Sequence, residues 1–212
     1  MKAIIFDLQG TLVENGVYPS PVKQVRFILG IKQSFHDYVP EFETIFMTKK
    51  YDNLTLAFRA VSEQFNINPP DYVIEKLVGI WNKNKLLSRL FPETIEVLKD
   101  LKKKYKLVLV ANIDCFSKDI IEKFSLENYF DRIYLSCDTG MLKTDPKFFI
   151  TILNDMKLEK EDVLMVGDST ESDIKSASSV GINAMLVDRN NRMDYDNKVS
   201  GLIGVKDYLD NL

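Results

Sequence analysis

The sequence predicts an α/β fold: a doubly wound, mostly parallel Rossmann-like sheet with an inserted small all-helical cap domain. Three observations predict it. Five short runs rich in Ile, Val and Leu lack the alternation of half-exposed strands, as expected of strands buried on both faces of a parallel sheet. Helical patterns separate the last four runs, giving the strand–helix–strand repeat of right-handed crossovers. Between about Glu14 and Arg89 the repeat stops, and only helical spacing of apolar residues remains.

Ala3 to Phe6 forms the first run and ends on Asp7. Ser20-Pro21 then opens a helix carrying Val22, Val25, Ile28 and Leu29, with Gly30 as its stop. Ser34 caps a second helix, which Pro40 is expected to interrupt. Asp52 to Phe65 repeats Leu56, Ala57, Ala60 and Val61 at helical spacing, and Pro70 to Leu87 does so through Val73, Leu77, Ile80 and Trp81. Phe42, Phe46, Phe58 and Phe65 are the expected core of these helices. Pro92 to Lys104 is a helix whose terminal lysines, Lys102 to Lys104, meet the helix dipole. The next strand is Leu107 to Val110, followed by Ile133 to Leu135. Asp145-Pro146 caps a helix through Phe148, Phe149, Ile152 and Leu153. Val163 to Val166, a helix from Thr170 to Val180 stopped by Gly181, and Ala184 to Val187 complete the series.

Composition narrows the function. With 28 basic and 31 acidic side chains the formal charge is −3, too balanced to build the field that unspecific nucleic-acid binding needs. No apolar run approaches the roughly 18 residues of a membrane span, and the first residues fall short of a signal peptide's apolar stretch. The expectation is a cytoplasmic protein with no membrane partner, whose two cysteines, Cys115 and Cys137, are free thiols.

Ligands bind beyond the carboxyl ends of the strands in open α/β sheets. There the sequence places Asp7, Asn112 and Gly167-Asp168, with Lys143 in the loop after the third strand. A single strand-end Asp is commonly a turn former; four polar groups from four segments mark a site. Two carboxylates with no His or Cys beside them form a hard oxygen site suited to Mg²⁺. Lys143 adds a compact cation for phosphate or for Asp7.

These residues sit in four ordered segments: Phe6-Asp7-Leu8-Gln9-Gly10-Thr11-Leu12, Val110-Ala111-Asn112, Lys143-Thr144-Asp145-Pro146, and Gly167-Asp168-Ser169-Thr170-Glu171-Ser172-Asp173. In order and spacing they resemble the motifs of the haloacid dehalogenase superfamily, mostly Mg²⁺-dependent phosphatases. The helical insertion falls where that family places its type 1 cap. The resemblance implies a core of residues 1–14 and 90–212, a cap of residues 15–89, and a small phosphorylated metabolite as substrate. It makes Asp7 the nucleophile that forms an aspartyl-phosphate. Asp7, the backbone carbonyl of Gln9 and Asp168 would hold Mg²⁺, with Asp173 orienting its water shell. Lys143, Asn112, the residue at position 111 and backbone donors around Gly10 would contact the phosphoryl oxygens, and Thr11 would brace the loop. Oligomeric state is not readable.

Two positions depart from the pattern. The family's second Asp, which moves the leaving-group proton, is Gln9 here, and such proton transfer is worth about 10²–10⁴ in rate. Ala111 stands where the family has a hydroxyl donor, and a hydrogen bond to a charged group contributes roughly 1.5–3 kcal/mol. The expected protein is a slow phosphatase; the alternative is a catalytically impaired phospho-ligand or Mg²⁺-binding protein. A 2-haloacid dehalogenase is the lesser alternative, because such relatives need no metal and lose the carboxylate that Asp168 supplies. His36, the sole histidine, is expected to be an ordinary exposed or packed imidazole, and Arg189, after the fifth strand, a surface ion pair rather than a residue of the site rim.

Overall fold

The computed structural model describes residues 1–211. The chain enters through β1 (Ala3–Asp7) and β2 (Val13–Glu14), then forms four helices: α1 (Pro21–Ile28), α2 (Phe35–Met47), α3 (Leu54–Gln64) and α4 (Asp71–Leu87). It returns through β3 (Arg89–Leu90), α5 (Thr94–Lys102), β4 (Lys106–Ala111), α6 (Asp119–Lys123), β5 (Arg132–Leu135), α7 (Ser136–Thr139) and α8 (Pro146–Met156). The last elements are β6 (Val163–Gly167), α9 (Ser176–Ser179), β7 (Asn183–Val187), β8 (Lys198–Val199) and α10 (Leu202–Asp210).

Six strands form one sheet in the order β5-β4-β1-β6-β7-β8. Every neighbouring pair is parallel. The expected α/β class holds, and each predicted strand is present, lengthened by at most a residue at an end. From β1 the chain winds outward through β4 and β5, then crosses to β6 on the other side. The winding direction therefore reverses between β1 and β6, where open sheets bind ligands.

Both faces of the sheet are covered. Ile4 and Phe6 of β1 pack with Val97, Leu98, Leu202 and Val205 on one face. Ala3 and Ile5 meet Phe148, Phe149, Ile152 and Ala177 on the other. This double burial is why the strands read as continuous apolar runs.

The four inserted helices share an apolar cluster that Leu142, in the loop between α7 and α8, also joins. Tyr38, Phe42 and Phe46, spaced four apart on α2, form its spine, and Phe46 meets Phe58 and Trp81 with ring centroids 4.8 and 4.7 Å away. Phe65 joins through Tyr38 at 5.5 Å, so the aromatic residues are a core. The ribbon β2-β3, antiparallel through Val13↔Leu90 and Glu14↔Arg89, closes the insertion at its base.

Three expectations need correction. Pro40 does not interrupt α2: its ring faces solvent while the aromatic row packs, and this burial outweighs one missing backbone bond. The helix expected at Thr170 is a π-helical turn over Thr170–Lys175 continued by the short α9. The last expectation, an exclusively helical path from Glu14 to Arg89, omits the two-residue strands at its ends, which are too short to show a period. Cys115 and Cys137 are free, as expected. His36 is exposed, and no helix among the described residues is long and apolar enough to cross a membrane.

Candidate active site

Asp7 is the last residue of β1, Asn112 follows β4, Lys143 lies between α7 and α8, and Asp168 follows β6. The sheet gathers the four predicted segments at one end. Lys143 is 3% exposed and Asp7 5%, and Asp173 is fully buried, so their charges act with little screening. Lys143 Nζ donates to Asp7 Oδ1 at 2.6 Å and to Asp173 Oδ1 at 2.5 Å. Asp173 Oδ2 accepts the Ser169 N–H at 3.0 Å. Carboxylate oxygens of Asp7, Asp168 and Asp173 lie within 4.8 Å of one another. Three carboxylates thus face one ammonium.

Glycine makes this approach possible. Gly10 has φ +89°, and a Cβ there would fall 1.9 Å from Asp168 Oδ2. Its own N–H donates to the Val13 carbonyl at 2.8 Å and closes the loop after β1. The Thr11 hydroxyl is buried without a partner, while the Thr11 carbonyl accepts from Arg189 at 2.8 Å. Backbone contacts, rather than that hydroxyl, hold this loop. Arg189 also pairs with Glu93 at 2.7 Å and stacks over Phe91, which makes it a half-buried clamp on the loop rather than a surface ion pair.

Burial shapes the protonation of the cluster. It pushes Asp7 up to about 6, with Lys143 opposing and Asp173 reinforcing. Asp168 is raised well above the usual carboxylate range by burial and then by Asp7 and Asp173. Burial disfavours the Lys143 ammonium, but Asp173 and Asp7 outweigh it and hold the lysine above its ordinary value. Such an excess of buried negative charge is the donor set of a hard divalent cation. Asp7 Oδ2 is buried with no hydrogen-bond partner, so the residues present fit one.

A cavity of about 170 Å³ opens beside the cluster, lined by Gln9, Asn112, Trp81 and Glu43 among others. Asn112 spans it: its Oδ1 accepts the Lys143 N–H at 2.9 Å and its Nδ2 donates to Glu43 Oε2 at 2.7 Å. Ala111 ends β4 as a buried residue, so its position contributes only a methyl group to this neighbourhood. Glu43, on α2, is the residue that the sequence reading missed. Burial pushes it up to about 7, against the pull of Lys143 and Asn112. Its signal is the row Val39, Glu43, Met47 along one edge of the aromatic stripe, where a carboxylate replaces an apolar residue. Two further contacts seat the insertion on the sheet domain: Trp81 Nε1 donates to Asp114 Oδ2 at 2.9 Å, and Ser136 Oγ donates to the Met47 carbonyl at 2.7 Å. A larger groove of about 680 Å³ lies on the outer side of α1 and holds none of the motif residues.

A buried carboxylate–lysine centre at the switch point of a parallel sheet is an enzyme's site, and comparison with known proteins gives its class. The family model described as haloacid dehalogenase-like hydrolase matches residues 1–181. The chain belongs to that family. It is similar to a glyceraldehyde 3-phosphate phosphatase of Methanothermobacter thermautotrophicus, 25% identical over 88% of this chain and 85% of the relative. A phosphoglycolate phosphatase of Aquifex aeolicus is 27% identical over 88% of this chain and 84% of its own. Among solved structures, a HAD phosphatase from Thermococcus onnurineus superposes with a TM-score of 0.65, covering 99% of this chain and 98% of that one at 23% identity.

Proposed function

We propose that this protein is a Mg²⁺-dependent phosphatase of small phosphorylated metabolites that works through an aspartyl-phosphate on Asp7. The coarser statement, a phosphoric monoester hydrolase of its family, rests on the family match and on relatives named as phosphatases. The observation that carries the finer reading is the state of Asp7. Its Oδ1 is fixed by Lys143, while its Oδ2 is buried and unpartnered at the switch point.

In this mechanism Asp7 attacks phosphorus, the ester oxygen leaves, and water cleaves the resulting acyl phosphate. Lys143 orients Asp7 and balances charge on the phosphoryl oxygens, and Asn112 adds a neutral donor. Asp7, Asp168 and the Gln9 carbonyl are the proposed holders of Mg²⁺, with Asp173 behind them; the ion supplies charge neutralisation of the phosphoryl group. Thr11 supports the loop through its backbone. Residues 1–14 and 90–212 are the proposed core and residues 15–89 the cap, whose α2 reaches the site through Glu43. The cytoplasm is the proposed compartment, where free Cys115 and Cys137 stay reduced.

Gln9 supports a second reading. An amide cannot transfer the leaving-group proton, so the site could bind phosphorylated ligands with little turnover. Gln9→Asp decides between them. For a slow phosphatase, wild type hydrolyses an activated aryl phosphate with Mg²⁺, and Gln9→Asp raises kcat on an alkyl phosphate by about 10- to 10²-fold. If wild type turns over neither ester while Gln9→Asp turns over both, the protein is a phospho-ligand binder. Ala111 points the same way, since no hydroxyl stands there to contact phosphate.

A further inference from the structure

We propose that Glu43 is a catalytic acid–base residue, reaching over from α2 to perform the proton transfers that Gln9 cannot. This rests on the phosphatase reading above. In the first step Asp7 attacks phosphorus and the P–O ester bond breaks. Its electron pair goes to the leaving oxygen, which takes the Glu43 proton and departs as an alcohol. In the second, water attacks the aspartyl-phosphate and gives a proton back to Glu43. The bond to Asp7 breaks, and phosphate, the free Asp7 carboxylate and neutral Glu43 are regenerated.

Position carries the argument. Glu43 lines the same cavity as Gln9 and is joined to Asn112, whose other end holds the loop of Lys143, the residue bound to Asp7. It therefore lines, from α2, the cavity that Gln9 lines from the loop after β1. Asp114 is the other carboxylate of the lining, and it is engaged by Trp81, Ser117 and the Phe116 N–H. The Glu43 carboxylate, by contrast, has a single hydrogen bond among the described residues, from Asn112. A group that must both give and take a proton needs such a free lone pair. Burial also suits it to the task, since an affinity near 7 leaves both forms populated at neutral pH. The charged groups that face it are Lys143, Asp7 and Asp173 of the core.

The test compares wild type, Glu43→Gln and the double variant Gln9→Asp/Glu43→Gln on an alkyl phosphate and an activated aryl phosphate with Mg²⁺, across pH. Glu43→Gln is expected to lower kcat on the alkyl ester by about 10²-fold or more but on the aryl ester by less than about 10-fold. The decline of wild-type alkyl turnover as pH rises through about 7, where Glu43 loses its proton, should disappear with it. Asp at position 9 should restore alkyl turnover in the double variant, which also shows that the protein is folded. If Glu43→Gln slows both esters equally, or changes KM alone, Glu43 is a substrate contact and the proposal is overturned. Activity of wild type with no effect of Glu43→Gln overturns this proposal alone; a wild type silent on both esters removes the phosphatase reading and this proposal together.

Discussion

Asp7→Asn is expected to abolish turnover, by about 10⁴-fold or more in kcat, while leaving the fold intact. The amide is nearly isosteric and can still accept from Lys143, but it has no lone pair nucleophilic enough to form the covalent intermediate. The side chain also leaves a crowded negative cluster, where Asp7 and Asp173 share one ammonium and the Asp168 carboxylate lies beside them. The metal-free variant should therefore melt no lower than wild type, and divalent cations should stabilise it less, because one oxygen ligand is gone. Calorimetry with and without Mg²⁺, beside a phosphate-release assay, checks both halves. Lost activity together with a collapsed Tm would mean that Asp7 acts in folding rather than in chemistry.

Lys143→Met has the largest expected effect on stability. Removing one partner of a buried ion pair typically costs about 3–5 kcal/mol, because the charge left behind has neither water nor a counter-ion. Here two carboxylates, Asp7 and Asp173, lose at once the buried ammonium that pairs with both. The cost depends on pH with a definite sign. Asp7 and Asp168 bind protons more tightly in the folded protein than in the unfolded chain, since burial raises both. The penalty for ionising them is absent below their unfolded values, near 4, and grows as pH rises through the folded value, which for Asp7 is about 6. Loss of Lys143 pushes these folded values higher still. Urea denaturation of metal-free Lys143→Met should thus show little deficit at pH 4 and a much larger one near pH 7. A deficit independent of pH would mean that Lys143 contributes packing alone.

Much of this site is legible in the sequence because strand ends are. Each apolar run is followed within two residues by a polar one, and a parallel sheet has one carboxyl edge, so Asp7, Asn112 and Asp168 come to lie near one another. Lys143 followed from its place after the third run. What escaped is contact between segments without a shared period. Glu43 and Asn112 lie 69 residues apart, and only the seating of α2 on the sheet domain joins them. Trp81 looked like core, and its ring is core, but its indole N–H reaches Asp114 across 33 residues. The strands β2, β3 and β8 have two residues each, fewer than an alternation needs to be visible. Pro40 shows the opposite failure, a strong local rule overridden by a buried aromatic row that local reading cannot weigh.

The covalent role of Asp7 is the claim on which the rest depends, and it can be observed directly. Wild type mixed with an aryl phosphate and Mg²⁺, quenched in acid during turnover and digested, should yield an Asp7 peptide heavier by one phosphoryl group. Asp7→Asn should yield none. Phosphate release with an unmodified Asp7 peptide, or with the phosphoryl group on another residue, would contradict the account.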